Sequence, residues 1–125
     1  MSPLQPLSHV DELEAAIAES SDRPVLLFKH SRSCGISCEA LDELRAHVDG
    51  ADCGAVYKVI TVQSHRHVSN EAATRLGIRH ETPQVILLRN GRPVWSASHF
   101  RITKDQLDDV LQRSVGGSAV VGRGL

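Results

Sequence analysis

"PQVILLRNGRPVWSAS", residues 83–98, is the stretch that decides the fold. Two extended runs flank Asn90-Gly91, a pair that accepts the positive φ angles of a tight hairpin turn. Upstream, "RPVLLFKH" (23–30) reads as a short buried strand that Pro24 can open. "AVYKVITV" (55–62) reads as a second strand, rich in β-branched residues.

Helical periodicity fills the intervals. Ser8 is placed to cap a helix running to about Ser20, with Val10, Leu13, Ala16 and Ile17 as its apolar stripe. In "CGISCEALDELRAHVD" (34–49), Cys38, Leu41, Leu44 and Val48 fall on one helical face. In "VSNEAATRLG" (68–77), Ser69 suits a cap and Gly77 a terminator. "TKDQLDDVLQRSV" (103–115) is an amphipathic helix capped by Thr103. The order is a helix followed by βα-βα-ββ-α. It predicts one α/β domain over residues 1–115, with a mixed four-stranded sheet and helices on both faces. Residues 116–125, "GGSAVVGRGL", read as a loose Gly-rich tail.

Composition excludes several functions. The 125 residues carry 14 basic and 15 acidic side chains, a net charge of −1, so no basic field suggests nucleic acid. Phe28, Tyr57, Trp95 and Phe100 are the whole aromatic set, too few for stacking on single strands. No apolar run approaches membrane-spanning length, and "MSPLQPLSHVDEL" lacks the basic and apolar regions of a signal peptide. Three cysteines is an odd and low number, the wrong arithmetic for a secreted disulfide scaffold. A cytoplasmic protein with reduced thiols is the expectation.

Chemistry concentrates in "FKHSRSCGISCEALDEL", residues 28–44. Cys34 and Cys38 are spaced C-x-x-x-C, and Ser37 stands where a C-x-x-C site would carry its second cysteine. Cys34 falls at the carboxyl end of a strand and the amino end of a helix, the usual place for chemistry in α/β proteins. Unpaired N–H groups and the helix dipole there favour a thiolate. Gly35 removes crowding beside the sulfur, and the Ser37 hydroxyl is expected to donate a hydrogen bond to it. Lys29, His30 and Arg32 are expected to add positive charge. Cys38 shares its stripe with Leu41, Leu44 and Val48, where cysteine behaves as a small hydrophobe. Its alternative role is to resolve a Cys34 mixed disulfide, which requires Cys34 to sit outside the helix or the first turn to unwind. Cys53 reads as a bystander.

"RHETPQ" (79–84) is the second informative segment. The Thr82-Pro83 step enters the hairpin strand and would face the amino end of the Cys34 helix. An extended substrate would pair there as an added strand. The seven histidines, His65 and His67 among them, form no familiar ligand spacing, so no metal is expected. No phosphate-binding glycine fingerprint occurs. Asp108 and Asp109 read as solvating charge on the outer face of the last helix.

These motifs carry a resemblance. "FKHSRSCGIS" resembles the HS-x-x-C-x-IS signature of the YtxJ-type monothiol bacilliredoxins, thioredoxin-like proteins of the bacillithiol system. "RHETPQV" is similar to that family's cis-proline segment, and "WSASHFRIT" to its segment after the hairpin. The resemblance spans about residues 7–115. It implies a thioredoxin fold, Cys34 as nucleophile, Ser37 as the motif serine and Pro83 as the cis-proline. His30, Ser31, Arg32, Gly35, Thr82 and Pro83 would line the substrate site. The implied reaction takes bacillithiol, a thiol co-substrate rather than a bound cofactor, from mixed disulfides on S-thiolated client proteins. Free thiol or a partner reductase would then regenerate the protein. The chain departs from the family pattern at Gly35, where proline is common, and at Cys38, where a small non-cysteine residue is usual.

Read from its residues alone, an exposed helix-capped thiol without a normally spaced partner suits removal of a small-thiol cap. It is poorly suited to reducing a protein disulfide. Arg32, Arg79 and Lys29 are candidates to orient the carboxylates of bacillithiol. Two other classes stay open: a dithiol oxidoreductase using Cys34 with Cys38 or Cys53, and a non-catalytic binding or adaptor module around Pro83.

Overall fold

The computed structural model describes residues 3–51 and 54–115. Cys53 and the 116–125 segment lie outside the described residues. The elements are β1 (Leu4–Pro6), α1 (Val10–Glu19), β2 (Val25–His30), α2 (Gly35–Gly50), β3 (Val56–Thr61), α3 (Arg66–Leu76), β4 (Gln84–Arg89), β5 (Arg92–Ser98) and α4 (Lys104–Val115). A single 3-10 turn, His99–Arg101, joins β5 to α4.

The sheet order is β1-β3-β2-β4-β5. β1 and β2 both run parallel to β3, while β4 runs antiparallel to β2 and β5 to β4. The sheet thus has five strands where four were expected. The additional strand is β1, a three-residue edge strand from the Pro-containing lead before α1. An edge position tolerates Pro6, because one side of its backbone needs no partner. The hairpin turn is as expected: Asn90 and Gly91 have φ of 55° and 77°. Ser20 ties that turn to the end of α1, its carbonyl accepting from Asn90 N–H and its hydroxyl from Gly91 N–H, each at 2.8 Å.

β2 is central and buried along its whole length. Leu26 and Phe28 face one core with Ala40 and Leu44 of α2 and Leu107 and Leu111 of α4. Val25 and Leu27 face the other, against Leu13 and Ala16 of α1 and Val68 and Ala72 of α3. α2 and α4 therefore cover one face of the sheet, and α1 and α3 the other. The same alternation sends Lys29 toward α3 and His30 toward α2, so two polar residues end a strand that otherwise buries hydrocarbon.

Helix ends differ in detail from the sequence reading. His9, not Ser8, is the N-cap of α1; the Glu12 carboxylate accepts from the N–H groups of Ser8 and His9 at 2.7 and 3.1 Å. α3 starts three residues before Ser69, with His65 as N-cap, and ends at Gly77 in the left-handed conformation, φ 66°. Thr103 does cap α4, its hydroxyl accepting from Gln106 N–H at 3.2 Å.

Candidate active site

Three segments meet at one end of the sheet. β2 ends at His30 and leads through Ser31–Ser33 to Cys34, the N-cap of α2. The β2–β4 pairing stops at Lys29–Gln84, so Thr82 and Pro83 leave the sheet alongside His30 and Ser31. The Thr82–Pro83 peptide is cis. Beyond β5, His99 N–H donates to the Pro83 carbonyl at 3.1 Å, which brings the 3-10 turn to the same place. Phe100, next in the chain, is 72% exposed.

Cys34 is half-buried and its backbone is extended, φ −109° and ψ 122°, so it stands just outside the helix. Its carbonyl accepts the first helical bond, from Cys38 N–H at 3.0 Å. Cys34 is the N-cap, yet its side chain accepts no hydrogen bond from the first-turn N–H groups, so the sulfur is not tied to the helix end. Gly35 is exposed, with nothing within 4 Å of where a Cβ would stand, so no side chain crowds the position next to Cys34.

Ser37 behaves differently from expectation. It is fully buried, its Oγ 2.7 Å from His30 Nδ1 and 2.9 Å from the Ser31 nitrogen. The Ser31 N–H can only donate, so the Ser37 oxygen accepts it. Directing the hydroxyl proton to Nδ1 then satisfies every buried group, with neutral His30 carrying its proton on Nε2. The hydroxyl is committed to the loop, and among the described residues nothing donates to the Cys34 sulfur. Ser37 therefore shapes the approach to Cys34 without touching its chemistry.

The expected positive charge is also redistributed. His30 is buried, stacked on Phe28 at 5.5 Å, and burial with nearby Arg45 and Arg32 holds its pKa below the usual imidazole value. It is neutral at pH 7. Lys29 points to the opposite face of the sheet and is fully buried, its Nζ 3.1 Å from His80 Nδ1. It can neither orient a ligand carboxylate nor sit beside Cys34. Arg32 and Arg79 remain exposed.

Cys38 is exposed, contrary to its expected core role. The buried stripe of α2 is Ser37, Ala40, Leu44 and His47, with Leu41 and Val48 only partly buried at its margin. The cause is polar partnering. Ser37 and His47 can face inward because His30, Tyr57 and Asp108 bond them. The stripe is rotated by one residue, which turns Cys38 outward.

Sequence reasoning missed three residues here. Gln63 donates from Nε2 to the Ser31 and Ser33 hydroxyls at 2.8 and 3.0 Å and accepts from Arg32 N–H at 3.1 Å, clamping the loop before Cys34. His80 connects Lys29 and the Ser69 hydroxyl to Thr82 Oγ1, 3.2 Å from its Nε2. His99 pairs with Glu81 at 3.4 Å beside Pro83. No local spacing marks these residues; only the meeting of distant segments does.

The family model described as monothiol bacilliredoxin BrxC matches residues 5–107. Among solved structures, a protein provisionally described as an oxidoreductase with a thioredoxin fold is 30% identical, TM-score 0.77, over 85% of this chain and 91% of its own. A Fasciola hepatica thioredoxin matches with TM-score 0.71 at 14% identity, covering 88% of this chain and 98% of its own. A thioredoxin variant from Halobacterium salinarum NRC-1 reaches 0.66 at 22% identity, covering 92% and 94%. These last two likenesses bear on the fold alone.

Proposed function

The chain belongs to the monothiol bacilliredoxin family and has the thioredoxin fold, and from that premise we propose that Cys34 removes a low-molecular-weight thiol, bacillithiol, from mixed disulfides on client proteins. Family and fold together support a thiol–disulfide redox function. The observation that carries the finer reading is the placement of Cys34: a half-buried cysteine at a helix N-cap, beside an open Gly35.

The Cys34 thiolate attacks the sulfur that the small thiol contributes to the mixed disulfide. A bond forms between Cys34 and the small thiol as the old disulfide breaks, and the client leaves as its thiolate and takes up a proton. Oxidation is transferred, with none gained or lost. The client's backbone is met at Thr82, whose own N–H and carbonyl make no hydrogen bond among the described residues and are free to pair with an extended segment. The exposed ring of Phe100, beyond Pro83, offers such a segment an apolar contact. Arg32 and Arg79 are exposed and available to the carboxylates of the small thiol. A cytoplasmic setting, where thiols are kept reduced, suits this reaction.

The test uses a peptide carrying bacillithiol in mixed disulfide. Reduced protein should strip the cap and Cys34→Ser should not, as followed by intact mass. Equal stripping by both proteins would overturn the proposal.

A further inference from the structure

Ser37 and Cys38 exchange the roles that their spacing suggests. On a helix, the residues three and four positions beyond the N-cap both lie within about 60° of it around the axis. The nearer-spaced of the two, Ser37, is locked under the loop, whereas Cys38 is exposed on the outer side of the same turn. The Cys38 sulfur leans back along the helix, 3.9 Å from the Arg32 carbonyl, over the loop that leads into Cys34. Both thiols are free.

Distance permits their union. Residues four apart along a helix have Cα atoms roughly 6 Å apart, inside the range of about 4.4–6.8 Å that a disulfide spans. The usual obstacle is the Cβ pair, about 5–6 Å apart within a helix where a disulfide wants roughly 3.5–4.5 Å. That obstacle assumes two helical residues. Cys34 is extended, so its Cβ is not held in the helical direction, and Gly35 leaves the turn between them unhindered.

We propose that Cys38 resolves the mixed disulfide formed on Cys34, so that this chain completes its turnover as a dithiol with C-x-x-x-C spacing. The Cys38 thiolate attacks the Cys34 sulfur and the Cys34–Cys38 bond forms. The bond to the small thiol breaks, and the small thiol leaves as its thiolate and takes up the proton that Cys38 gave. Two equivalents of a low-molecular-weight thiol then reduce the internal disulfide and are themselves joined as a disulfide. The inference rests on Cys34 being the nucleophile of the reading above.

The experiment mixes reduced full-length protein with one equivalent of bacillithiolated peptide, quenches in acid, alkylates and maps peptides by mass. Wild-type protein should yield free bacillithiol and the tryptic peptide 33–45 lighter by two hydrogens, unalkylated at Cys34 and Cys38. Cys38→Ser should keep bacillithiol on Cys34 and lose its release. A wild-type adduct that persists on Cys34 with Cys38 alkylated would overturn the resolving role while leaving Cys34 as nucleophile. A link from Cys34 to Cys53 would overturn it equally. An intact starting peptide with both proteins would instead overturn the Cys34 reading on which it rests.

Discussion

The Nζ of Lys29 lies 3.1 Å from Nδ1 of His80, and the lysine side chain is fully shielded from solvent. An ammonium only donates, so Nδ1 accepts, and the Nε2 proton of His80 is directed at Thr82 Oγ1, 3.2 Å away. A buried cation thus fixes the tautomer of the residue that steadies Thr82.

Burial pushes Lys29 down to about 8 from 10.5. Below the lower value both folded and unfolded chains hold the proton, and the fold bears the cost of a buried charge. Between the two values the unfolded chain keeps its proton and the fold releases it, so this contribution to stability rises with pH. Lys29→Met should flatten that rise and stabilise the protein at pH 7 by about 1–3 kcal/mol, Ser69 remaining as a donor to His80. Urea unfolding at pH 7, 9 and 10.5 reads this; parallel pH profiles for the two proteins would contradict it.

His30 and His80 are both held below their ordinary pKa by burial first and by nearby cations second. As pH falls through the imidazole range the unfolded chain takes up protons that the fold resists, so stability is lost on the acid side. Ser37→Ala should cost about 1–3 kcal/mol, because it strands the Ser31 N–H and the His30 ring nitrogen together. Thermal melts at pH 7.5, 6.5 and 5.5 should show the wild type falling across that range, and the variant melting lower at pH 7.5. Unchanged melting in the variant would deny Ser37 its structural role.

Gln63 is exposed, yet its amide holds Ser31, Arg32 and Ser33. Gln63→Ala should change stability by less than about 1 kcal/mol and slow removal of the small-thiol cap several-fold, since the loop it fixes positions Cys34. Single-turnover rates alongside denaturant midpoints separate the two effects. A large loss of stability with unchanged rate would reverse the assignment.

Asp108 and Asp109 are adjacent on α4 but differ in what they hold. Asp108 reaches the Nδ1 of His47 at 2.6 Å, and His47 in turn meets the Tyr57 hydroxyl at 2.8 Å. Among the described residues, Asp109 pairs only with Arg113, on the surface. Asp108→Ala should therefore cost about 1–3 kcal/mol and Asp109→Ala less than about 0.5 kcal/mol. Equal costs in urea unfolding would mean that the His47 bridge contributes nothing.

The hairpin, the Gly77 stop and the helix that begins at Cys34 were legible because each rests on local chemistry: a turn needing positive φ, a C-terminus needing glycine, a strand running into a cap. What escaped is long-range. The phase of α2 was misread by one residue because Ser37 and His47 are polar by type and inward by partnering, which a hydrophobic pattern cannot register. The same misphasing put Cys38 in the core. Gln63 and His80 act across 31 and 51 residues of chain, and Asp108 looked like solvating charge until His47 arrived opposite it.

The two borders of the sheet share a property. β1 is three residues long and ends at Pro6, while β5 carries Pro93 and a register shift between Leu87 and Leu88 opposite it. Proline withholds a donor and an irregular register bends the rim, so neither border is a good template for another strand laid alongside. A sheet guarded in this way resists stacking edge to edge into fibrils. It leaves the tips of its strands, where Cys34 and Thr82 stand, as the place to meet another chain.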